Sequence, residues 1–368
     1  MTSDSTATTV RRLRLAHGLD QQTLAESAGL SSGTLSMIEN SRVNPTETQL
    51  AGLAEKLGCS VEFLQAKRPE VRTTRPWLRA YADASKKDLD RVVADSELAI
   101  DAFTQMGLRR IPDNIPTFDG DLDDDESIEA FATDVRTATR LGTGDVVPNA
   151  VRAAERLGAV VLPMDSELGR HLGLSVRIDG VPVLRTARAG AVPGDRQRFT
   201  VAHELGHLAL HHATPPPTSP SEASRIERQA HRFAGAFLTP ADAVVEDLQL
   251  LGGRVTISTL IQLKARWGFS VKAFVTRFRQ LGVIDSDQAR SLYKQMSARK
   301  MNRREPGLVE NESARWPIAA LREAAIDDPG RQVGLEPTFF QRWVSWSEVS
   351  KADVVDLRAR RESRTGSR

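Results

Sequence analysis

VAHELGHLAL, residues 201–210, decides how this chain is read. His203 and His207 are four residues apart. On a helix they share a face one turn apart, so two imidazoles reach one ion. Glu204, beside the first histidine, is placed to take a proton from water in the ion's open position. Val201, Leu205 and Leu208 give the helix an apolar side for a core. Chance alone produces such a motif in on the order of one chain in a hundred of this composition, as a helix with a solvated polar face. Five of the seven histidines fall within 203–231, which argues against chance. A second helical run carries Glu227, a candidate third ligand, and His231 four residues later on the same face. Catalytic zinc commonly takes three protein ligands and keeps one position open. Glu227 paired with Arg228 or Arg232 is the ordinary alternative. His211 is rotated about 80° from His203 around the helix, which suits a supporting residue, and His212 points to solvent. Iron uses similar donors and manganese is compatible, but the adjacent base Glu204 favours zinc hydrolysis.

Outward from this motif the chain organises itself by pattern. Three short β-rich runs precede it: AVVLPM, LSVRI and VPVLRT. Asp179-Gly180 between the last two is a hairpin signal. A helix is expected from about Thr200 to His212 and another from Ala223 to Leu238, with two more over 256–282 broken at Gly268. The acidic loop DGDLDDDES is a boundary; counted from Asp119, it lacks the glycine and glutamate that a calcium-binding EF-hand loop needs. The chain has 368 residues, 40% hydrophobic and 27% charged, with net charge +2. That supports packed cores in two or three domains and confines any nucleic-acid site to a local patch. One cysteine, Cys59, excludes a disulfide framework and is expected to be a small core residue. No secretory leader and no apolar run of about 18 residues is visible, which points to a cytoplasmic protein with no membrane partner. Trp316, Trp343 and Trp346 mark a small core or interface in the tail; on one helix the last two would share a face.

Residues 8–66 read as five short helices. Within QQTLAESAGLSSGTLSMIEN, a helix, a glycine turn, the N-cap candidate Ser31 and a second helix follow in helix-turn-helix spacing. The second helix carries Ser32, Gly33, Thr34, Ser36 and Met37, small side chains that offer no bidentate base contact. Gln21, Ser31, Asn40 and Arg42 read as phosphate contacts. Such a surface implies modest affinity per monomer, strong salt dependence and a homodimer on paired half-sites of a double-stranded operator.

Two resemblances follow from these residues. The N-terminal segment resembles the Cro/C1-type (XRE) helix-turn-helix family, through its Leu-Ala-Glu, Gly-Leu-Ser and Ile-Glu-Asn frame and Pro45. Residues 128–285 resemble the ImmA/IrrE family of metallo-endopeptidases. DRQRFTVAHELGHLALHH, IERQAHRFAGAFLTP and LKARWGFSVKAFVTRFRQLGVI carry that likeness. It implies zinc on His203, His207 and Glu227, with Glu204 as base, in a gluzincin-like core with a small sheet. Where that family usually has Asn or Asp, this chain has His231, available to orient a ligand imidazole or to bond the substrate oxyanion. Neither tyrosine, Tyr81 or Tyr293, lies near the motif.

The expected architecture is therefore mostly helical α+β. A helix-turn-helix domain spans 1–66, a helical linker 67–127, the peptidase-like domain 128–285 and a helical extension 286–368. The expected function is a DNA-binding transcriptional regulator whose zinc endopeptidase cleaves a regulatory protein such as a repressor, in stress response or mobile-element control. The alternative is a non-proteolytic repressor or antitoxin that uses the zincin fold as a sensing or dimerising platform.

Overall fold

A computed structural model of the chain describes residues 3–74, 85–164, 172–215 and 217–347. Tyr81 and the basic C-terminal run RARRESRTGSR lie outside the described residues. The architecture is mostly helical α+β, as the patterning predicts.

Five helices open the chain: α1 (Ser3–Ala16), α2 (Gln21–Ser27), α3 (Ser32–Glu39), α4 (Glu47–Leu57) and α5 (Val61–Gln65). Asp20 caps α2 by accepting from Thr23 N, and Ser31 caps α3 by accepting from Thr34 N. Each cap satisfies a backbone N–H that the helix itself cannot. One carboxylate ties three of these helices together. Glu39 of α3 accepts Arg14 of α1 in a fork of 2.6 and 2.8 Å, and Gln21 of α2 donates to it at 2.8 Å.

α6 (Lys86–Gln105) packs along α1, and α7 (Asp125–Ala138) and α8 (Ala150–Arg156) lead to the sheet. The strands are β1 (Val160–Met164), β2 (Gly173–Ile178) and β3 (Val181–Ala187), in the order β1-β3-β2. β1 runs parallel to β3, and β2 antiparallel. Asp179 and Gly180 form the tight hairpin turn, both with positive φ. The register puts Val161, Leu184 and Ser175 in one row and Val160, Val183 and Val176 in the next. Because side chains alternate, adjacent rows face opposite sides.

Both faces of the sheet are covered. On one lies α9 (Gly194–Leu210), followed by α10 (Pro220–Leu238), α11 (Ala241–Leu250), α12 (Ile257–Trp267), α13 (Val271–Gln280) and α14 (Ser286–Ala298). Their core includes Val161, Leu184, Leu205, Phe233, Trp267 and Phe274. The other face joins a second buried cluster. This runs from Leu13 of α1 and Leu53 of α4 through Leu98 of α6 to Leu162, Leu174 and Val176 of the sheet. The last helices complete it: α15 (Trp316–Glu323), α16 (Pro329–Val333) and α17 (Pro337–Val344). The N-terminal helices, the sheet and the C-terminal extension thus share apolar packing.

Several expectations change in detail. α9 begins at Gly194, six residues before Thr200. Its first turns are held by Asp195, which pairs with Lys264 at 2.6 Å, and by Gln197 and Arg198, which bond the C-terminal Glu312. α10 begins at Pro220 rather than Ala223, with proline at a first-turn position where its missing N–H costs nothing. Trp343 and Trp346 do not share a helix face, since α17 stops at Val344. Trp343 is buried in the second cluster, and Trp346 packs against the first. Cys59 is half-buried rather than in the core, bridged to Leu335, and burial pushes its thiol pKa up to about 12. That shift disfavours the thiolate, the nucleophilic form.

Candidate metal centre and nucleic-acid interface

α9 and α10 cross closely because Gly206 lets them. A Cβ there would lie 2.8 Å from Phe233 Cδ1 on α10. This approach brings Glu227 of α10 to the two histidines of α9. Nε2 of His203 and Nε2 of His207 are 3.1 Å apart. Glu227 oxygens lie 3.4 Å from the first and 3.5 Å from the second. The three residues are the one such group able to hold a metal ion among the described residues, with ligand atoms within 4.8 Å of one another.

The donor set fits a zinc ion. Bonds of about 2.0–2.1 Å at tetrahedral angles separate donors by about 3.3 Å. The 3.1 Å between the two histidine nitrogens is close to that spacing, and Glu227 faces each with a different oxygen, Oε2 at 3.4 Å from His203 and Oε1 at 3.5 Å from His207. Electrostatics agree. Burial opposes charge on Glu227, but His203 and His207 outweigh it and hold its carboxyl well below the ordinary range. Burial likewise opposes charge on His203, yet Glu227 and then Glu204 raise its pKa. Protons and a dication compete for the same lone pairs.

Glu204, buried on α9, faces the sheet. Ser175 Oγ of β2 donates to its Oε2 at 2.6 Å. β2 and α9 touch here through Gly173. A Cβ on Gly173 would lie 2.4 Å from Thr200 Cγ2 and 2.9 Å from Glu204 Cγ. Gly173→Ala is therefore expected to cost about 1–3 kcal/mol by overpacking, read as a lower urea midpoint at unchanged slope. A variant as stable as the parent would show that the sheet and helix part easily.

On the N-terminal helices, Ser31, Ser32, Gly33, Met37 and Asn40 are exposed along one side of α3, and Arg42 is exposed just after it. Thr34 and Ser36 are half-buried. Three of the four expected phosphate contacts have internal duties. Ser31 caps α3, Gln21 donates to Glu39, and Asn40 Nδ2 donates to Ser36 O at 2.7 Å.

Residues 154–279 match the family model of the IrrE N-terminal-like domain, a peptidase family, and residues 10–64 match that of the helix-turn-helix. The two matches place a helix-turn-helix segment and an IrrE-like segment in one chain, in that order. No match was found among curated proteins or among solved structures. The IrrE-like match contains the whole sheet, α9 and α10, and so every residue of the metal triad. The C-terminal extension lies beyond it.

Within the IrrE-like domain, His231 is exposed and meets His203 edge to face, ring centres 4.5 Å apart. Its Nδ1 donates to the Glu227 carbonyl at 2.8 Å. His203 Nδ1 is buried with no hydrogen-bond partner among the described residues. The contact from His231 to the ligand ring is thus packing rather than a hydrogen bond. Tyr293 bonds Thr276 Oγ1 at 2.9 Å. Sequence reading missed Ser175 and Glu312. A serine in a strand and a glutamate more than a hundred residues from the motif carry no local signal.

Proposed function

We propose that the chain is a cytoplasmic transcriptional regulator. Its N-terminal helices bind operator DNA and its IrrE-like domain is a zinc-dependent endopeptidase acting on a regulatory protein, such as a repressor. The observation that carries this reading is the His203–His207–Glu227 triangle with Glu204 beside it, buried and held by Ser175. Zinc on that triangle would supply Lewis acidity to polarise the scissile carbonyl and to acidify water. Glu204 takes the proton of the attacking water through its second oxygen and returns it to the leaving amine. The serine bond keeps the carboxylate from rotating away.

The edge of the sheet supports a path for such a substrate. Thr74 N donates to Arg177 O and Asp179 N donates to Arg72 O, each at 2.9 Å, on the outer edge of β2. By the two-residue alternation, Ser175 and Gly173 direct their backbone groups to that same edge. An extended peptide adds there, beside Glu204, by strand pairing. On DNA, the small side chains of α3 and exposed Arg42 suit a homodimer on paired half-sites. No described helix is long and apolar enough to cross a membrane.

The test is a comparison of new protein N-termini in cells carrying the wild type or Glu204→Gln. The variant is expected to keep its zinc and to lose the cleavage products. Identical N-termini from both would favour the second reading, a non-proteolytic repressor with a sensing body. The buried cluster joining the helix-turn-helix helices to the sheet is what favours that alternative.

A further inference from the structure

Gln229 of α10 makes no hydrogen bond to the triad among the described residues, yet a row of hydrogen bonds runs from it to His207. The row begins at the main-chain carbonyl of Leu122, in the acidic loop before α7. A carbonyl only accepts, so the Gln229 atom 2.8 Å from it is the amide nitrogen. Gln229 Oε1 then faces His211 Nε2 at 3.1 Å, and it too only accepts. His211 Nε2 must therefore carry a proton. His211 is wholly buried, which disfavours a charged ring, and a neutral imidazole holds just that one proton. Its Nδ1 is a lone pair, 3.1 Å from His207 Nδ1. The proton between those two atoms belongs to His207. In a neutral His207 the lone pair then sits on the other nitrogen, the one facing His203 and Glu227.

We propose that Gln229, acting through His211, is a positioning residue that sets the tautomer and ring orientation of His207, so that its inward nitrogen is a lone pair before a metal arrives. The proposal rests on the metal reading above. The physical reason is simple. An imidazole with its proton on the inward nitrogen has no lone pair there to offer a metal ion, and a ring free to rotate must be ordered on binding. The row also explains two buried polar side chains, His211 and Gln229, that the peptidase chemistry does not use. The anchor is main chain, so no titration elsewhere can reverse the direction of the row.

Two measurements test it. Long-range 1H–15N NMR of the metal-free full chain reads each ring nitrogen. The expected pattern is His211 protonated on Nε2 and bare on Nδ1, with His207 protonated on Nδ1. A proton on His211 Nδ1 overturns the proposal. The second is Gln229→Leu, which keeps a side chain of similar size and removes the anchor. It is expected to scramble that pattern and to weaken zinc binding about 10–100-fold, measured by competition with a chromogenic chelator. A folded variant with unchanged zinc affinity overturns the proposal. If the variant does not fold, the wild-type spectrum still decides. If the wild type binds no zinc, the metal reading falls, and the nitrogen pattern judges this one separately.

Discussion

Glu227→Ala should strip the chain of stoichiometric zinc, with an affinity loss exceeding the roughly 100-fold that losing an outer partner costs. Glu227 is the sole carboxylate in the triangle, and it approaches both histidines from a different helix. Without it the ligand set keeps two imidazoles and no anionic donor. The metal-free state changes too. Glu227 raises the pKa of His203, so in the variant that ring should stay neutral to lower pH. Metal analysis of the purified wild type beside Glu227→Ala and His203→Ala checks this. About one zinc per chain in the parent, absent from both variants, is the expected outcome. Retention by Glu227→Ala would move the third ligand elsewhere.

Asp95→Ala is the second large effect, and it concerns stability. Asp95 of α6 is buried and accepts Arg342 at 3.1 Å, Trp343 Nε1 at 3.1 Å, and Arg185 of β3. Arg342 also donates to the carbonyl of Ala16, at the end of α1. One carboxylate thus joins the first helix, the sheet and the last helix. Removing it takes a counter-charge from Arg342 and from the buried Arg185, and an acceptor from Trp343 Nε1, at a cost of about 3–5 kcal/mol. The pH dependence has a definite sign. Burial would raise the Asp95 pKa, but Arg342, Arg185 and Trp343 outweigh it and lower the folded value. A carboxyl with a depressed folded pKa stabilises fully above its unfolded value, about 3.9, and loses that contribution as pH falls through the folded one. The gap between wild type and variant, read from denaturant melts, should be constant near neutrality and close in acid. A gap that widens in acid would mean that Asp95 is protonated in the fold.

The parts of this protein that were legible early share one property: their signals are local. Helix ends at Gly58 and Gly268, the Asp179-Gly180 turn and the caps Asp20 and Ser31 depend on a few adjacent residues. The two histidines and Glu204 were legible for the same reason, since helix geometry alone puts His203 and His207 on one face. Glu227 was a candidate because its helix follows directly. The supporting shell was not legible. Ser175 reaches Glu204 only through the pairing of β2 with β3, and Gln229 reaches His207 only through His211 and the crossing of α9 with α10.

The sequence by itself determined the element types, the helix-turn-helix spacing and the inner metal triad as a candidate set, because these follow from periodicities of two and 3.6 residues. Only the tertiary structure decided that the outer face of the sheet is buried by α1, α6 and α17, and that Glu312 of the C-terminal extension grips the start of α9. Apolar burial has no direction and no address along the chain. Which apolar faces meet across hundreds of residues is settled by the packing that covers all of them at once.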